Sequence, residues 1–342
     1  MDLAGLISAK RPEIKQASID LYVRSINILH DNKEYKTLRQ LYNTDKMLKK
    51  LEAMNLAPTT YKNYVQAMAV ALDALPTQTK KIKDTIQTYR KIMFEREKAR
   101  QKFVDTHEKS PKEEKNWVTL KYLKEVANKL KRLNFAKGAD PDITLLQDYV
   151  IALFYSSPPI LPRLEIANLM VVPSSVWAYY LDGEKRNYIL WNKKERKMEM
   201  FINESKTSKH TGPRSQVLPK ELYLAITSLI DAGRPLIKEF PGKATRPGKG
   251  VLDPTSLTAP LLFYSTATKE RKPLTANALG KNIARIFKND VMGQRPTVTT
   301  IRHIIISEQV DLEKEDALDK LADGAGHSRK QQRQYAKKKS AK

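Results

Sequence analysis

Toward its carboxyl end the chain carries Thr299-Thr300-Ile301-Arg302-His303, then Gly326-His327-Ser328 and, eight residues after that histidine, Tyr335. An arginine, a histidine and a late tyrosine in that order are the parts needed to cut a phosphodiester through a covalent tyrosyl intermediate. Direct displacement at phosphorus needs an oxygen nucleophile, a proton donor for the departing 5′ oxygen and fixed positive charge around the crowded transition state. Tyr335 is the candidate nucleophile, and a phosphotyrosine would conserve the bond energy so that a second DNA end could reverse the attack without ATP. Arg163 and Arg302 suit the two non-bridging oxygens, because guanidinium groups stay charged and offer paired donors matched to phosphate. His327 suits a further hydrogen bond to the phosphate or help in proton transfer. The candidate acid for the leaving oxygen is Lys206, in Asn203-Glu204-Ser205-Lys206-Thr207-Ser208-Lys209 at the turn after a strand, with Lys209 the competing choice. This route needs no metal and no other cofactor, and the sequence has no obvious carboxylate or histidine cluster for magnesium or zinc.

The composition points to the same kind of substrate. With 62 Lys and Arg against 38 Asp and Glu, the 342-residue chain has a net charge of +24, a field suited to a polyanion. The basic residues are spread along the chain and form no single amphipathic anchor, so nucleic acid fits better than a membrane surface. The absence of cysteine excludes disulfides, thiolate nucleophiles and cysteine-ligated zinc. No apolar run is long enough to span a bilayer and no basic segment precedes a long apolar one at the start, so the expectation is an intracellular protein found wherever its target DNA resides.

The elements that must position these residues are mostly helices. From Ile14 to about Phe103 apolar residues recur at helical spacing, as in Ile19, Tyr22, Ile26 and Leu29, and predict four helices, with Pro58-Thr59-Thr60 starting one and Lys80 to Phe103 forming a long charged one. Residues 109–116 are polar and read as a linker between a helical region, 1–108, and a second region, 117–342, that ends in a basic tail. In the second region Leu120 to Leu133 and Asp142 to Ser156 are helical in pattern. Val176 to Leu181, Asp182-Gly183 and Tyr188 to Trp191 then predict a hairpin, which Met198 to Ile202 and Gln216 to Leu218 extend into a small antiparallel sheet. Helices resume at Lys220. The fold class expected is mainly α with a small antiparallel β-sheet. Arg234 to Pro260 reads as a surface loop, and the residues from Arg329 onward hold no acid and read as a phosphate-attracted arm.

Together these pieces resemble the catalytic domain of the tyrosine recombinases, the integrase family of phages and mobile elements, whose chemistry is shared with type IB topoisomerases. The resemblance covers roughly residues 117 to 340 and rests on Pro162-Arg163-Leu164-Glu165-Ile166-Ala167-Asn168-Leu169, Ser205-Lys206-Thr207, Ile301-Arg302-His303, Gly326-His327-Ser328 and Tyr335. It implies a helical core-binding domain over 1–108, in which Thr59-Thr60-Tyr61-Lys62-Asn63-Tyr64 lies, and a catalytic domain over 117–342. The two would clamp duplex DNA, and four protomers would assemble on two sites. The proline-rich first box and the strand segment look more like the eukaryotic-virus and transposon branch than the bacterial one.

The chain departs from the family in several places. Thr299 stands where the family has a histidine three positions before its second arginine; a hydroxyl cannot serve as acid or base, so that component is missing or is replaced by His303. His303 itself reads most simply as a packed helix residue, since Ile304, Ile305 and Ile306 follow it. Arg163 precedes Glu165 by two residues instead of three, and His327 to Tyr335 is one residue tighter than the commoner spacing. Trp177, Tyr179, Tyr180 and Trp191 read as sheet core, and His210 and Arg214 as hairpin residues touching the DNA backbone. Two other functions remain open on the sequence: a type IB topoisomerase using the same residues as a monomer, and a DNA-binding protein with a decayed active site.

Overall fold

Short polar side chains mark where the first helices begin. Asp2 accepts from the amide of Gly5 at the head of α1 (Leu3–Lys10), Asn43 from Lys46 at α3 (Thr44–Ala53) and Thr79 from Ile82 at α5 (Lys80–Asp105). Each bond satisfies an amide that has no partner within its own helix. Between them lie α2 (Gln16–Leu29), a 3-10 turn at Arg39–Tyr42 and α4 (Pro58–Asp73), which has proline in its first turn, where the missing N–H is not needed. The computed structural model describes residues 1–32, 37–136, 142–158, 160–174, 186–205, 208, 212–233, 261–265, 272–309 and 337.

These helices form one compact unit, Met1–Thr106. Its axis is α4, buried at Tyr61, Tyr64, Val65 and every residue from Ala67 to Leu72, with α2 and α5 packed against it. Alanines at 67, 69 and 71 let those neighbours approach closely, while Val65, Met68 and Leu72 fill the space between. The Tyr89 hydroxyl donates to the Leu41 carbonyl at 2.7 Å, fastening α5 to the 3-10 turn. The helix α1, which the sequence reading did not anticipate, buries Leu3 and Ile7 in the same core. At the far end of α5, His107 takes a left-handed φ of 57°, a conformation that ends a helix.

The second unit, His107–Lys342, is built around α8 (Ile143–Phe154), whose residues from Leu146 to Phe154 are all buried. Around it stand α7 (Leu120–Asn134), α9 (Lys220–Gly233) and α10 (Ala276–Ile286). A further helix, α11 (Val298–Gln309), starts at Thr297, whose hydroxyl accepts from the Thr300 amide at 3.3 Å. Residues 109–116, expected as a linker, contain a short helix instead, α6 (Pro111–Lys115). Ser110 and Glu113 cap it reciprocally, each accepting from the other's backbone amide. The Lys109 ammonium lies 4.6 Å from the Trp117 ring centre.

A four-stranded sheet follows the 3-10 turn Glu165–Asn168, in the order β1 (Met170–Pro173), β2 (Tyr188–Asn192), β3 (Lys197–Ile202), β4 (Arg214–Val217). The sheet is mixed where an all-antiparallel one was expected: β1 runs parallel to β2, with Met170 opposite Tyr188, while β2–β3 and β3–β4 are antiparallel. The proposed partner of β2 in a hairpin, Val176 to Leu181, lies outside the described residues, as do Trp177, Tyr179, Tyr180 and the loop Arg234 to Pro260. Along β3 burial alternates, with Met198, Met200 and Ile202 turned to the main core and Phe201 stacked on Tyr188 across the other face, ring centres 4.8 Å apart. Trp191 is core, as its position in the sheet pattern suggested. The molecule is thus mainly helical with a small sheet.

Candidate active site

The first arginine box follows the end of α8 and runs into the 3-10 turn Glu165–Asn168, and side chains from three other places hold its backbone. Arg302, on the second turn of α11, donates from Nη1 to the Leu161 carbonyl. The Tyr155 hydroxyl, just past α8, donates to the Arg163 carbonyl. Asn187, just before β2, donates from Nδ2 to the Glu165 carbonyl at 3.1 Å. Carbonyls 161, 163 and 165 are therefore each engaged by a side chain from a different part of the chain, and these bonds hold the backbone on either side of Arg163.

Arg302 is 2% exposed, among the largest fully buried side chains of the protein. Burying a guanidinium is costly even when it is bonded, and positions that accept such a cost are commonly functional. Tyr155 is buried as well, and burial, with Glu165 adding to it and Arg302 opposing it, pushes its phenol well above the usual range. It is a neutral hydrogen-bond donor at any physiological pH.

Glu165, two residues after Arg163, is held by an ion pair. Its carboxylate accepts from Nη2 of Arg214, the first residue of β4, at 2.8 Å, with side-chain exposures of 7% and 20%. Burial lowers the Arg214 pKa; Glu165 opposes that shift and the neighbouring Arg163 adds to it. The buried Nη1 of Arg214 has no hydrogen-bond partner among the described residues. Arg214 thus pairs with Glu165, Arg163 lies near enough to Arg214 to add to its shift, and Arg302 bonds the same segment at Leu161, so arginines collect on this box in a poorly solvated place. Such a place suits an anion.

The base of the hairpin that carries Lys206 is tied to the same box. The last rung of β3–β4 pairs Ile202 with Arg214, so the Arg214–Glu165 bond secures one stem. On the other stem Asn187 donates to the Glu204 carbonyl at 2.9 Å and accepts the Glu204 amide at 2.8 Å. Ser205 and Ser208 then bond each other, amide to hydroxyl at 3.2 Å and hydroxyl to carbonyl at 2.9 Å. Lys206 and Lys209 themselves lie outside the described residues, as do His210, His327 and Tyr335.

Thr299 is exposed on the first turn of α11, one turn before Arg302 and His303. His303 points elsewhere: its Nδ1 lies 2.5 Å from the Glu113 carboxylate on α6. Burial, with Lys337 and Arg302 nearby, lowers the imidazole pKa more than Glu113 raises it, which leaves a neutral ring donating from Nδ1. Burial alone would raise Glu113, but bonds from His303 and from the Ser110 hydroxyl and amide outweigh it and hold the carboxyl at about 2. His303 thus joins α11 to α6. Lys337 is buried, its amide donating to the Ser307 hydroxyl one turn after His303, at 2.7 Å, and its ammonium to the Glu108 carbonyl at 3.2 Å.

Sequence reasoning missed Tyr155, Asn187, Glu113 and Ser307. Only Glu113 had a local signal, the Ser-x-x-Glu spacing of a capping box. No protein-family model and no curated protein matches this chain. Among solved structures, the XerA recombinase matches over 99% of this chain and 94% of that one, at a TM-score of 0.40 and 11% sequence identity.

Proposed function

We propose that this protein is a tyrosine recombinase that cuts and rejoins duplex DNA, integrating or excising a mobile or viral genome. The observation that carries this reading is that Arg302 and Arg214 both bond to the segment that bears Arg163, at the Leu161 carbonyl and the Glu165 carboxylate, with both stems of the Lys206 hairpin tied to the same segment. In this reading Arg163 and Arg302 hold the non-bridging oxygens of the scissile phosphate, and His327 adds a hydrogen bond. The Tyr335 oxygen bonds to phosphorus as the bond to the 5′ oxygen breaks, and Lys206 protonates the leaving oxygen. The product is a 3′-phosphotyrosine and a free 5′ hydroxyl, and attack by a second 5′ hydroxyl reverses the step.

Lys337 supports delivery of the phenol by the same chain that supplies the arginines. It follows Tyr335 by two residues and is anchored on α11, the helix that bears Arg302. Residues 1–108 act in this reading as a clamp on the duplex and 117–342 as the catalytic domain, in a tetramer on paired sites, inside whichever compartment holds the target DNA. Neither Thr299 nor His303 supplies the missing acid or base, so Arg214 takes up part of the charge stabilisation. The test is a duplex nicked so that the cleaved fragment diffuses away: the protein accumulates as a covalent adduct, Tyr335→Phe abolishes it, and Arg302→Ala lowers its rate by at least about a hundredfold. Failure of the unmodified chain to form any adduct on its own element's junction DNA refutes the proposal in favour of a DNA-binding protein without catalysis.

A further inference from the structure

Asn187 is 8% exposed and stands where β2 and β3 part, one residue before the first ladder pair, Tyr188 with Phe201. Its carboxamide takes both the N–H and the C=O of Glu204, as a ladder residue would, although Glu204 lies beyond the end of β3. The second N–H of the same group goes to the Glu165 carbonyl, and the Asn187 backbone carbonyl accepts from Met170 of β1. One side chain therefore spans the arginine box and the strand exit from which, two residues on, Lys206 follows. Only an amide can do this, because the three bonds require two donated protons and one acceptor on a planar group.

We propose that Asn187 is the positioning residue for the general acid: it sets the Lys206 hairpin against the box that holds the scissile phosphate, and so acts on leaving-group protonation without touching DNA. The proposal rests on the recombinase reading and has a signature of its own. Cleavage breaks the bond from phosphorus to the 5′ oxygen, and the oxygen takes a proton from the lysine ammonium. If that oxygen is replaced by sulfur, the bond to sulfur breaks and a thiolate leaves with the electron pair, needing no proton. A defect that acts through the acid disappears on the sulfur substrate, whereas a defect in phosphate binding or in the nucleophile persists.

The experiment compares adduct formation on nicked duplexes with a 5′-bridging oxygen or sulfur, for the unmodified full-length chain, Asn187→Ala, Asn187→Asp, Asn187→Gln and Lys206→Ala. Asn187→Ala is expected to lose about 10²-fold on oxygen, the size of effect that a misplacement of about 1 Å produces, and at least about tenfold less on sulfur, in parallel with Lys206→Ala. Asn187→Asp keeps the shape but sets a carboxylate against two carbonyl oxygens, and is expected to lose at least as much and to be rescued alike. Asn187→Gln keeps the hydrogen-bonding groups one methylene further out, and falls between. The oxygen-to-sulfur ratio within one preparation does not depend on its folded fraction, so partial misfolding does not blur the result. Equal losses on both substrates, or no loss with Asn187→Ala, overturn the assignment. No adduct from the unmodified chain on either substrate overturns the recombinase reading instead.

Discussion

Replacing Arg214 by methionine would leave the Glu165 carboxylate, 7% exposed, without its ion-pair partner, and replacing Glu165 by leucine would do the same to Arg214. Breaking a well-buried pair from one side costs about 3–5 kcal/mol; with Arg214 one fifth exposed, the expectation for either single variant is about 2–4 kcal/mol. Removing both charges leaves neither group stranded, so Glu165→Leu/Arg214→Met should lie within about 1–2 kcal/mol of the unmodified protein, with a coupling energy of at least about 2 kcal/mol. Urea unfolding followed by tryptophan emission isolates the effect, because Trp117, Trp177 and Trp191 all belong to the unit His107–Lys342. For a unit of that size a 3 kcal/mol loss lowers the melting temperature by about 6–12 °C. The double variant then separates stability from function: it folds, yet it lacks a cation beside Arg163 and should form adduct at least about tenfold more slowly. A coupling energy under about 0.5 kcal/mol refutes the buried pair, and full cleavage by a stable double variant removes both residues from the phosphate site.

Two further outcomes follow from charges elsewhere. His303 is held below its ordinary value of 6.5 by burial and by Lys337 and Arg302, so the unfolded chain takes up this proton first and stability falls once the pH drops below about 6.5. Glu113, held at about 2 against an ordinary 4.5, contributes stability that is whole above about 4.5 and is lost as the pH falls toward 2. The urea midpoint of the unmodified protein should therefore decline more steeply between pH 7 and 5 than that of His303→Gln; parallel slopes would show that the imidazole does not titrate through burial. DNA affinity should also fall steeply with salt. Six to ten phosphate contacts predict a loss of about 10³–10⁵ between 50 and 200 mM, and a nearly flat titration would count against a phosphate clamp.

What could be read in advance followed from how local each signal was. Caps and apolar spacing are local, and α4, α7 and α8 emerge near the positions that Pro58, Leu120 and Asp142 suggest. The parallel β1–β2 pair was not legible, because a four-residue strand starting at Met170 carries the same apolar run as the end of the preceding turn, and the apolar stretch Val176 to Leu181 competed for the partner role. Glu113 was legible in principle: Ser110-Pro111-Lys112-Glu113 has the capping-box spacing, and its polarity hid the helix it starts. The arginines declared themselves by type. The contact that makes Arg302 part of the first box joins it to a carbonyl 141 residues earlier, and no local pattern announces such a bond. Asn187 was the least legible, an ordinary polar residue ahead of a strand whose role exists only where β2, Glu165 and Glu204 meet.

The long helix α5 is uneven along its length. Its buried residues, Ile82, Thr85, Ile86 and Tyr89, all lie in its first half; further on, Arg96 stacks on Tyr61 and Lys62 pairs with Glu97, whereas Phe94 and Phe103 are 70% and 41% exposed. From Lys98 to Asp105 the helix is sustained mainly by its own backbone bonds and the Arg100–Glu97 pair. Amide hydrogen exchange there should approach that of a free peptide while Ile82 to Tyr89 stays protected. Eight residues that rise about 1.5 Å each when helical reach about 3.4 Å each when extended, so melting these turns releases about 15 Å of chain. The stretch of chain that leads out of the unit Met1–Thr106 thus carries its slack as a helix that is cheap to unwind.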